Sequence, residues 1–288
     1  MKLPAFDYAC PTTLAEAVSL LASRQGEAKA LAGGQSLVPM LAFRLAAPAL
    51  LVDLNKLPEL GHIRIGNDGV RLGAMVRWRQ IEDDARLAMA HPLLVAAIDH
   101  VAHYQIRNRG TVGGSMAHAD PAAEMPGVAV TCEAEISVIG SSGARVIKAA
   151  DFFLSPLVTV LTPDEIIVEI HLPPWPAKRR WGFEELSRRR GDFAMAAIAL
   201  YYDVLASGKA SNAHVGVIGV GDRPQRLAEV EAVLNGAVID AQTIAQAERV
   251  AAAAVNPSDD IHASAAYRRA LAGCMVERAL KRAATSER

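Results

Sequence analysis

Cysteine is scarce in this sequence, which contains only Cys10, Cys132 and Cys274 among its 288 residues. An odd number of widely separated cysteines argues against a disulfide framework. These residues also cannot hold an iron–sulfur cluster, because such clusters need several closely spaced thiolates. The first residues lack the charged and then apolar segments of a secretory signal. Together these absences predict a cytoplasmic protein.

Excess charge of one sign and long apolar runs are also missing. Lysine and arginine total 30 against 31 for aspartate and glutamate, so the formal net charge is −1. This balance gives no basis for binding nucleic acid or an anionic membrane. The longest apolar runs, such as residues 194–200, are far shorter than the roughly 20 residues of a membrane-spanning helix. Neither a nucleic-acid partner nor a membrane span is expected.

The chain is long enough for more than one domain and has the composition of a globular protein, with 51% hydrophobic residues. Helix and strand signals alternate over residues 1–56, and hairpins and helices follow over 57–176. The Pro173-Pro174-Trp175-Pro176 cluster is the best linker candidate. Strands then precede helices over 177–288, which predicts an antiparallel sheet covered by helices.

Hydrophobic periodicity and turn signals give the expected elements. Thr13 and Glu16 have capping-box spacing at the start of a helix, and Asn67-Asp68-Gly69 is typical of a hairpin turn. Further helices are predicted at 36–45, 92–103, 121–132, 225–234, 241–255 and 264–284. Strands are predicted at 28–32, 50–53, 63–65, 70–73, 136–139, 145–148, 166–172, 181–186, 194–205 and 214–220.

Two segments with paired glycines carry the clearest indication of chemistry. The first lies between a predicted strand and a predicted helix and reads Ala32-Gly33-Gly34-Gln35-Ser36-Leu37. Paired glycines let the backbone approach a ligand closely, and successive N–H groups form a nest for phosphate oxygens. The helix that follows adds its N-terminal donors. This segment is therefore a candidate phosphate site.

The second segment has the same ingredients, is expected to be a loop, and reads Thr111-Val112-Gly113-Gly114-Ser115. Either segment alone is more often a tight turn, but two of them favour a pyrophosphate held from both sides, and hence a dinucleotide. Other motifs are missing: no phosphate loop of the triphosphatases occurs, and Pro224 stands where a Rossmann fingerprint starting at Gly219 needs its third glycine. The histidines have no metal-ligand spacing.

Both glycine segments resemble the pyrophosphate motifs of the flavoprotein, or medium, subunits of molybdenum hydroxylases. This family includes carbon monoxide dehydrogenase, the bacterial quinoline, nicotine and caffeine hydroxylases, and the flavin domain of xanthine dehydrogenase. Three further segments carry the resemblance, namely Ala119-Asp120-Pro121-Ala122-Ala123-Glu124, Leu161-Thr162-Pro163-Asp164-Glu165-Ile166 and Arg188-Arg189-Arg190-Gly191-Asp192-Phe193-Ala194. The similarity covers essentially the whole chain, and five ordered motifs make it specific.

The resemblance implies an α+β fold. Two small α/β subdomains, 1–56 and 57–176, would form an FAD-binding domain of the PCMH (vanillyl-alcohol-oxidase-like) type, followed by a C-terminal flavoprotein domain of antiparallel sheet and helices over 177–288. A large partner subunit would hold the molybdenum–pterin centre and a small one two 2Fe–2S clusters, in a dimer of heterotrimers. Electrons would pass from those clusters through FAD to an external acceptor, after oxidation of an N-heteroaromatic compound or carbon monoxide.

The same resemblance implies FAD contacts residue by residue. The pyrophosphate would be enclosed by Ala32, Gly33, Gly34, Gln35, Ser36, Leu37, Thr111, Gly113, Gly114 and Ser115. Glu124 would accept hydrogen bonds from ribityl or ribose hydroxyls, with Asp120 and His118 as further candidates nearby. Leu161 would lie against the adenine or flavin ring. No catalytic residue and no metal ligand is expected in this chain.

Two departures from the family pattern bear on the flavin. Asp192-Phe193 stands where the family often has Asp-Tyr, so the ring contact stays and the hydroxyl is lost. Xanthine dehydrogenases have a lysine near the flavin where this chain reads Phe183-Glu184-Glu185-Leu186, and Gln35-Ser36 resembles the heteroaromatic hydroxylases more closely. Two alternatives stay open: a self-contained FAD-dependent oxidase, with His118 as the candidate for covalent attachment, and a non-catalytic nucleotide-binding or assembly protein.

Overall fold

The computed structural model describes residues 2–285. Residue 1 of the first predicted unit and residues 286–288 of the third lie outside the described residues. The chain has an α+β fold with three larger sheets. The first is parallel, with strand order β1-β3-β2. It is built from β1 (Asp7–Ala9), α1 (Leu14–Ala22), β2 (Ala28–Leu31), α2 (Leu37–Ala42) and β3 (Leu50–Asp53).

The second sheet is antiparallel, with order β4-β5-β10-β6-β7. Its strands are β4 (Ile63–Gly66), β5 (Gly69–Gly73), β6 (Glu135–Gly140), β7 (Gly143–Lys148) and β10 (Ile166–Leu172). A small pair, β8 (Phe153–Ser155) and β9 (Val158–Thr159), stands apart. The helices of this region are α3 (Trp78–Asp83), α4 (Ala85–Ala90), α5 (Pro92–Ile98), α6 (Tyr104–Arg107), α7 (Val112–His118), α8 (Glu124–Thr131) and α9 (Ala149–Phe152).

The third sheet is antiparallel, with order β11-β12-β13-β14. Its strands are β11 (Arg180–Leu186), β12 (Ala196–Val204), β13 (Ala210–Ile218) and β14 (Gln225–Arg226). Helices α10 (Ala228–Leu234), α11 (Ala241–Ala254) and α12 (Ala265–Thr285) follow the strands and cover one face. The predicted antiparallel sheet with helices after it is confirmed. No helix within residues 2–285 is long and apolar enough to cross a membrane.

Several predicted elements are shorter or different. The helix expected at 92–103 ends at Ile98, because the chain turns through Ala102 in a left-handed conformation (φ 44°) before α6 begins. The helix expected at 36–45 ends before Arg44, which is also left-handed (φ 59°). The helix expected at 225–234 begins only at Ala228, because residues 225–226 pair with β13 as a strand. Helices α3 and α4 were not predicted.

The second and third sheets share one hydrophobic core. Phe183, Tyr201 and Ile218 from the third sheet belong to the same buried cluster as Leu72 and Phe152 from the second region. The proline cluster between them is packed rather than free: the Trp175 ring lies 5.4 Å from that of Tyr201 and 4.5 Å from that of His91. The two regions are therefore held in a fixed relation, which the site between them requires.

Candidate functional site

A cavity of about 1190 Å³ lies where the three sheet regions meet. Most small-molecule pockets occupy roughly 300–1,000 Å³, so this cavity suits an unusually large ligand. All sixteen site residues predicted from the sequence line it, although they come from four separate stretches of the chain. These are Ala32, Gly33, Gly34, Gln35, Ser36, Leu37, Thr111, Gly113, Gly114, Ser115, His118, Asp120, Glu124, Leu161, Asp192 and Phe193.

The first glycine segment, residues 32–37, is a true turn between β2 and α2. Gly34 has a φ of +74°, a left-handed conformation that residues with a Cβ adopt only at a cost. Within residues 2–285 no acceptor lies within hydrogen-bonding distance of the backbone N–H groups of 33–36. The Gln35 side chain holds the turn by donating from Nε2 to Gly33 O at 3.0 Å. Ser36 makes no side-chain capping bond, so its hydroxyl is available to a ligand.

The second glycine segment, residues 111–115, is not a loop. It forms the start of α7, with Thr111 as the N-cap. Its N–H groups bond inside the protein: Gly113 N donates to Ala74 O at 2.8 Å, and Gly114 N donates to Thr111 Oγ1 at 3.1 Å. Val112 N and Ser115 N likewise have backbone acceptors. The prediction of a second loop with free N–H donors is therefore wrong, because the helix cap and a neighbouring strand end use those donors.

The two segments touch each other across the cavity wall. A Cβ on Gly33 would lie 2.1 Å from Arg109 O, and one on Gly114 would lie 2.7 Å from Thr111 Oγ1 and 3.6 Å from the Cβ of Ala32. Real Cβ atoms do not approach other heavy atoms within 3.0 Å. Glycine at position 33 is therefore needed for the close approach of the first segment to Arg109, and glycine at position 114 leaves room for the Thr111 hydroxyl within the second segment.

Acidic and imidazole side chains line the wall beyond the second glycine segment. Glu124, the first residue of α8, is only 5% exposed. Burial, followed by the charges of Glu185 and Asp120, raises the pKa of Glu124 to about 8. Asp120 accepts a hydrogen bond from Ala122 N at 2.9 Å. Burial lowers the pKa of the half-buried His118, while Asp120 opposes that effect. At neutral pH this wall carries less charge than its sequence implies.

A second wall is formed by Leu161 and by the segment that follows β11. In this segment Asp192 N donates to Arg189 O at 3.0 Å, closing a turn. Gly191 (φ +89°) lies against the α5–α6 connection, since a Cβ there would be 2.6 Å from Ala102 O. Phe193 lines the cavity and is 60% exposed. A large aromatic ring so exposed inside a cavity is available for contact with a flat ligand.

Residues near the C-terminus complete the cavity and were not found from the sequence. Arg268 is 7% exposed and donates to Met195 O at 2.8 Å, Gly219 O at 2.6 Å and Asp260 Oδ2 at 2.6 Å. It thereby fixes the 257–262 segment beside the end of β13. No local pattern indicates this role, because the partners of Arg268 are up to 73 residues away.

Comparison with known proteins gives the family. Residues 4–175 match the model described as the FAD binding domain in molybdopterin dehydrogenase, and residues 181–283 match the CO dehydrogenase flavoprotein C-terminal domain. The alpha subunit of the 6-hydroxypseudooxynicotine dehydrogenase complex of Paenarthrobacter nicotinovorans is 38% identical, over 98% of this chain and 96% of that protein. The medium chain of carbon monoxide dehydrogenase from Hydrogenophaga pseudoflava is 35% identical, over 97% of each chain.

A solved structure shows the same architecture. Quinoline 2-oxidoreductase from Pseudomonas putida 86 superposes with a TM-score of 0.94 at 38% identity, covering 99% of this chain and 98% of that one. The fold, both family models and the full-length relatives agree with the resemblance carried by the sequence motifs. This chain belongs to the family of FAD-binding flavoprotein subunits of the molybdopterin dehydrogenases.

Proposed function

We propose that this chain binds one FAD in the central cavity and relays electrons as the flavoprotein subunit of a molybdenum-containing hydroxylase. The observation that carries the proposal is the turn at residues 33–36, whose N–H groups have no acceptor within residues 2–285 and which lies beside the second glycine segment in one cavity of about 1190 Å³. Unpaired N–H groups in a glycine turn attract phosphate oxygens. The match to an FAD-binding domain over residues 4–175 supports the same ligand.

The residues of the cavity fit this cofactor in different ways. The N–H groups of residues 33–36 and the Ser36 hydroxyl would donate to the pyrophosphate, while Thr111 and Ser115 offer hydroxyls from the opposite segment. Gly114 leaves room for the Thr111 hydroxyl because it has no side chain. Glu124 and Asp120 would bond the sugar or ribityl hydroxyls, with His118 nearby. Leu161, Asp192 and Phe193 would surround the ring systems.

FAD supplies the redox chemistry when bound, and the chain sets its position, hydrogen bonding and exposure to solvent. The exposed Phe193 ring would hold the flavin by an aromatic contact. The buried Glu124 would contribute a polar group whose charge depends on pH. Neither residue needs to bond covalently to substrate, so the chain has the features of a relay rather than of a complete oxidase.

The partners of the relay follow from the relatives, one of which is named as part of a dehydrogenase complex and another as a medium chain. We propose a large subunit with a molybdenum–pterin centre and a small subunit with 2Fe–2S clusters, arranged as a dimer of heterotrimers in the cytoplasm. Electrons would leave the FAD to an external acceptor. Substrates of the complex would be N-heteroaromatic compounds or carbon monoxide, as in the relatives named for quinoline and carbon monoxide.

Three units are proposed to carry out these roles. Residues 1–56 and 57–176 would be the two FAD-binding subdomains, and 177–288 the C-terminal flavoprotein domain. Each contains one of the three larger sheets, which supports the division. The second and third would act as one body, because their buried residues form a single cluster.

The absorbance spectrum of the purified chain tests the proposal. We expect flavin bands corresponding to one FAD per chain, negligible substrate oxidation by the chain alone, and co-purification with a larger and a smaller subunit. Absence of flavin even after FAD is added would favour a non-catalytic assembly protein. Full turnover by this chain alone, with yellow colour that stays in an acid-precipitated pellet, would instead indicate a self-contained oxidase with covalent flavin.

A further inference from the structure

Asn55 holds a carbonyl group at the start of the first glycine segment. Its Nδ2 atom donates to Ala32 O at 3.2 Å and to Asp53 Oδ1 at 2.6 Å. A backbone carbonyl can only accept a hydrogen bond, so the nitrogen of the Asn55 amide must be the atom that faces it. These bonds join the segment after β3 to the turn that follows β2, although 23 residues separate Asn55 from Ala32.

The parallel sheet brings these two parts of the chain together. Strands β2 and β3 are neighbours, with Leu31 opposite Asp53, so their carboxyl ends reach the same edge of the sheet. Ligands of open parallel sheets bind outside the carboxyl ends of the strands. The glycine turn after β2 and the short 3-10 turn Leu54–Lys56 after β3 therefore meet at the edge of the sheet where a ligand is expected.

Asp53 fixes the Asn55 amide from the other side. Its Oδ1 atom also accepts from Asn55 N at 2.9 Å, and its Oδ2 atom accepts from Tyr8 OH at 2.5 Å. Burial favours the neutral acid, but the hydrogen bonds from Tyr8 and Asn55 and the charge of Arg109 hold the pKa of Asp53 below its ordinary value. A carboxylate anchored on β1 thus keeps the Asn55 amide in one orientation toward Ala32 O.

The Ala32 carbonyl determines where the next N–H group points. The C=O of Ala32 and the N–H of Gly33 belong to one planar peptide unit, in which they point in opposite directions. Two spaces adjoin the turn, the cavity of about 1190 Å³ and a pocket of about 220 Å³. Of these, Asn55 and Asp53 line the smaller, whereas Gly33 and Gly34 line both. With its oxygen held on the side of the smaller pocket, this peptide unit turns the Gly33 N–H toward the large cavity.

The next peptide unit of the turn is also fixed by a side-chain amide. Gln35 Nε2 donates to Gly33 O at 3.0 Å, and the N–H of Gly34 belongs to the same unit. Water could bond to either carbonyl, but it would not fix the direction of the peptide. Successive N–H groups bind one phosphate only when they converge on it. Donors that are already oriented bind more tightly, because less freedom is lost on binding.

We propose that Asn55, oriented by the Tyr8–Asp53 pair, is a positioning residue that directs the Gly33 N–H group at the pyrophosphate of FAD. This rests on the proposed function, which places FAD in the large cavity with its pyrophosphate at the glycine turn. Asn55 lies behind the turn, beside the smaller pocket. Its effect on the cofactor is therefore carried by the backbone of the turn and not by direct contact.

The test titrates the FAD-free full chain with FAD. In Asn55→Ala the Ala32 carbonyl can still bond to water but is no longer held, and we expect roughly a tenfold loss of FAD affinity. Phosphorus NMR of the bound FAD should show displaced pyrophosphate signals, while the flavin absorbance maxima stay at their wild-type positions. Wild-type FAD affinity in Asn55→Ala, or a loss of affinity without any change in the phosphorus signals, would overturn the proposal.

Asn235→Ala is the matched control. Asn235 lies at the end of α10, and its Oδ1 atom accepts from Ala213 N at 3.0 Å, so this variant also removes an amide that bonds the backbone. It should lower the melting temperature and keep wild-type FAD affinity. An equal loss of FAD affinity in Asn235→Ala would refute a specific positioning role. A wild-type chain that binds no FAD defeats the proposed function, whereas wild-type affinity in Asn55→Ala defeats only the positioning role.

Tyr8→Phe tests whether the Tyr8–Asp53 pair acts through Asn55. It removes the bond to Asp53 Oδ2 and keeps the ring, and we expect about a two- to threefold loss of FAD affinity. In the Asn55→Ala background the same substitution should cause no further loss, because the amide that Asp53 orients is gone. A double variant whose loss equals the product of the two single losses would mean that Tyr8 affects FAD by another route, and would refute the role of the pair.

Discussion

The two glycine segments have nearly the same composition but different backbones. Residues 32–37 form an open turn with a left-handed Gly34, and the N–H groups of 33–36 have no acceptor within residues 2–285. Residues 111–115 are the capped start of a helix, where four consecutive N–H groups, those of residues 112–115, are already bonded. Gly34 in the first segment permits a left-handed conformation, whereas Gly113 in the second permits close packing against Ala74. Paired glycines by themselves therefore do not define a phosphate site.

This difference assigns the segments separate roles in the proposed FAD site. The first offers backbone donors to the pyrophosphate, each worth about 1.5–3 kcal/mol when the acceptor is charged. The second segment offers the Thr111 and Ser115 hydroxyls. Its glycines present no side chain to the ligand, and Gly113 and Gly114 lie against Ala74 and Ala32. Substitutions in the first segment should thus act on FAD affinity, and those in the second should act first on stability.

The largest effect is expected from Gly34→Val. A β-branched residue at φ +74° is strained, so the turn must change and its N–H groups must point elsewhere. Loss of even one charge-assisted bond together with this strain corresponds to about 3 kcal/mol, or roughly a hundredfold loss of FAD affinity. Flavin content after gel filtration and titration with FAD measure it.

Gly34→Asn is the control for that substitution. Asparagine tolerates the left-handed region far better than valine does. This variant therefore adds a side chain at position 34 without forcing the turn to change. We expect Gly34→Asn to retain much more FAD than Gly34→Val. Stoichiometric FAD in Gly34→Val would refute the role of the turn and remove the main contrast between the segments.

Gly113→Ala should act on folding rather than on the cofactor. A Cβ there would lie 2.5 Å from the Cβ of Ala74 and 2.8 Å from Ala74 O. Overpacking of this kind costs about 1–3 kcal/mol. The FAD-free chain should therefore unfold at lower temperature, while FAD affinity, measured well below that temperature, changes less than in Gly34→Val. If Gly113→Ala left the melting temperature unchanged and lost FAD, the second segment would act on FAD affinity rather than on stability, contrary to its assigned role.

The sequence predicted the elements that local signals determine. The strand at 166–172 and the hairpin around Asn67-Asp68-Gly69 are confirmed, because apolar alternation and turn residues act over a few positions. The helical start at Val112 was missed for a physical reason. Two glycines disfavour a helix by about 1 kcal/mol each, but the Thr111 cap and the packing of Gly113 on Ala74 override that preference.

Site residues could be predicted where they lie in sequence motifs. They could not be predicted where their role depends on contacts with residues far away in the sequence. All sixteen candidates line one cavity, although their contact with FAD stays a prediction. The Glu185 side chain is buried near His100, whose ring packs against Phe183 of the same strand, and no residue close to it in sequence indicates this. Arg268 likewise depends on carbonyl groups at Met195 and Gly219. Such roles arise only when the three sheets are assembled.

Thr111→Val tests the cap that makes the second segment helical. The substitution keeps the shape of the side chain and removes the oxygen that accepts from Gly114 N at 3.1 Å. Loss of a helix N-cap costs about 0.5–2 kcal/mol, so the melting temperature should fall modestly. Thr111→Ser keeps the hydroxyl and should restore most of the stability. A loss of stability in Thr111→Ser with none in Thr111→Val would mean that the methyl group, not the cap, is what matters.

The smallest effects are expected from the two serines, and they compare the segments most directly. Ser36 caps no backbone group and lies in the turn with unpaired N–H groups, whereas Ser115 follows the capped helical start. The net contribution of one hydrogen bond from a neutral hydroxyl is about 0.5–1.5 kcal/mol. Ser36→Ala should therefore weaken FAD binding by roughly three- to tenfold, and Ser115→Ala by no more than that.

The comparison of Ser36→Ala with Ser115→Ala reports on FAD binding alone, because neither change should affect the fold. Both hydroxyls line the cavity, and removing a hydroxyl creates no clash in the FAD-free chain. Equal melting temperatures with a larger loss of FAD affinity in Ser36→Ala would support a pyrophosphate held mainly by the open turn. A larger loss of FAD affinity in Ser115→Ala would mean that the pyrophosphate lies mainly against the helical segment. The donors there are side chains rather than backbone, so the pyrophosphate would then be held by hydroxyl groups.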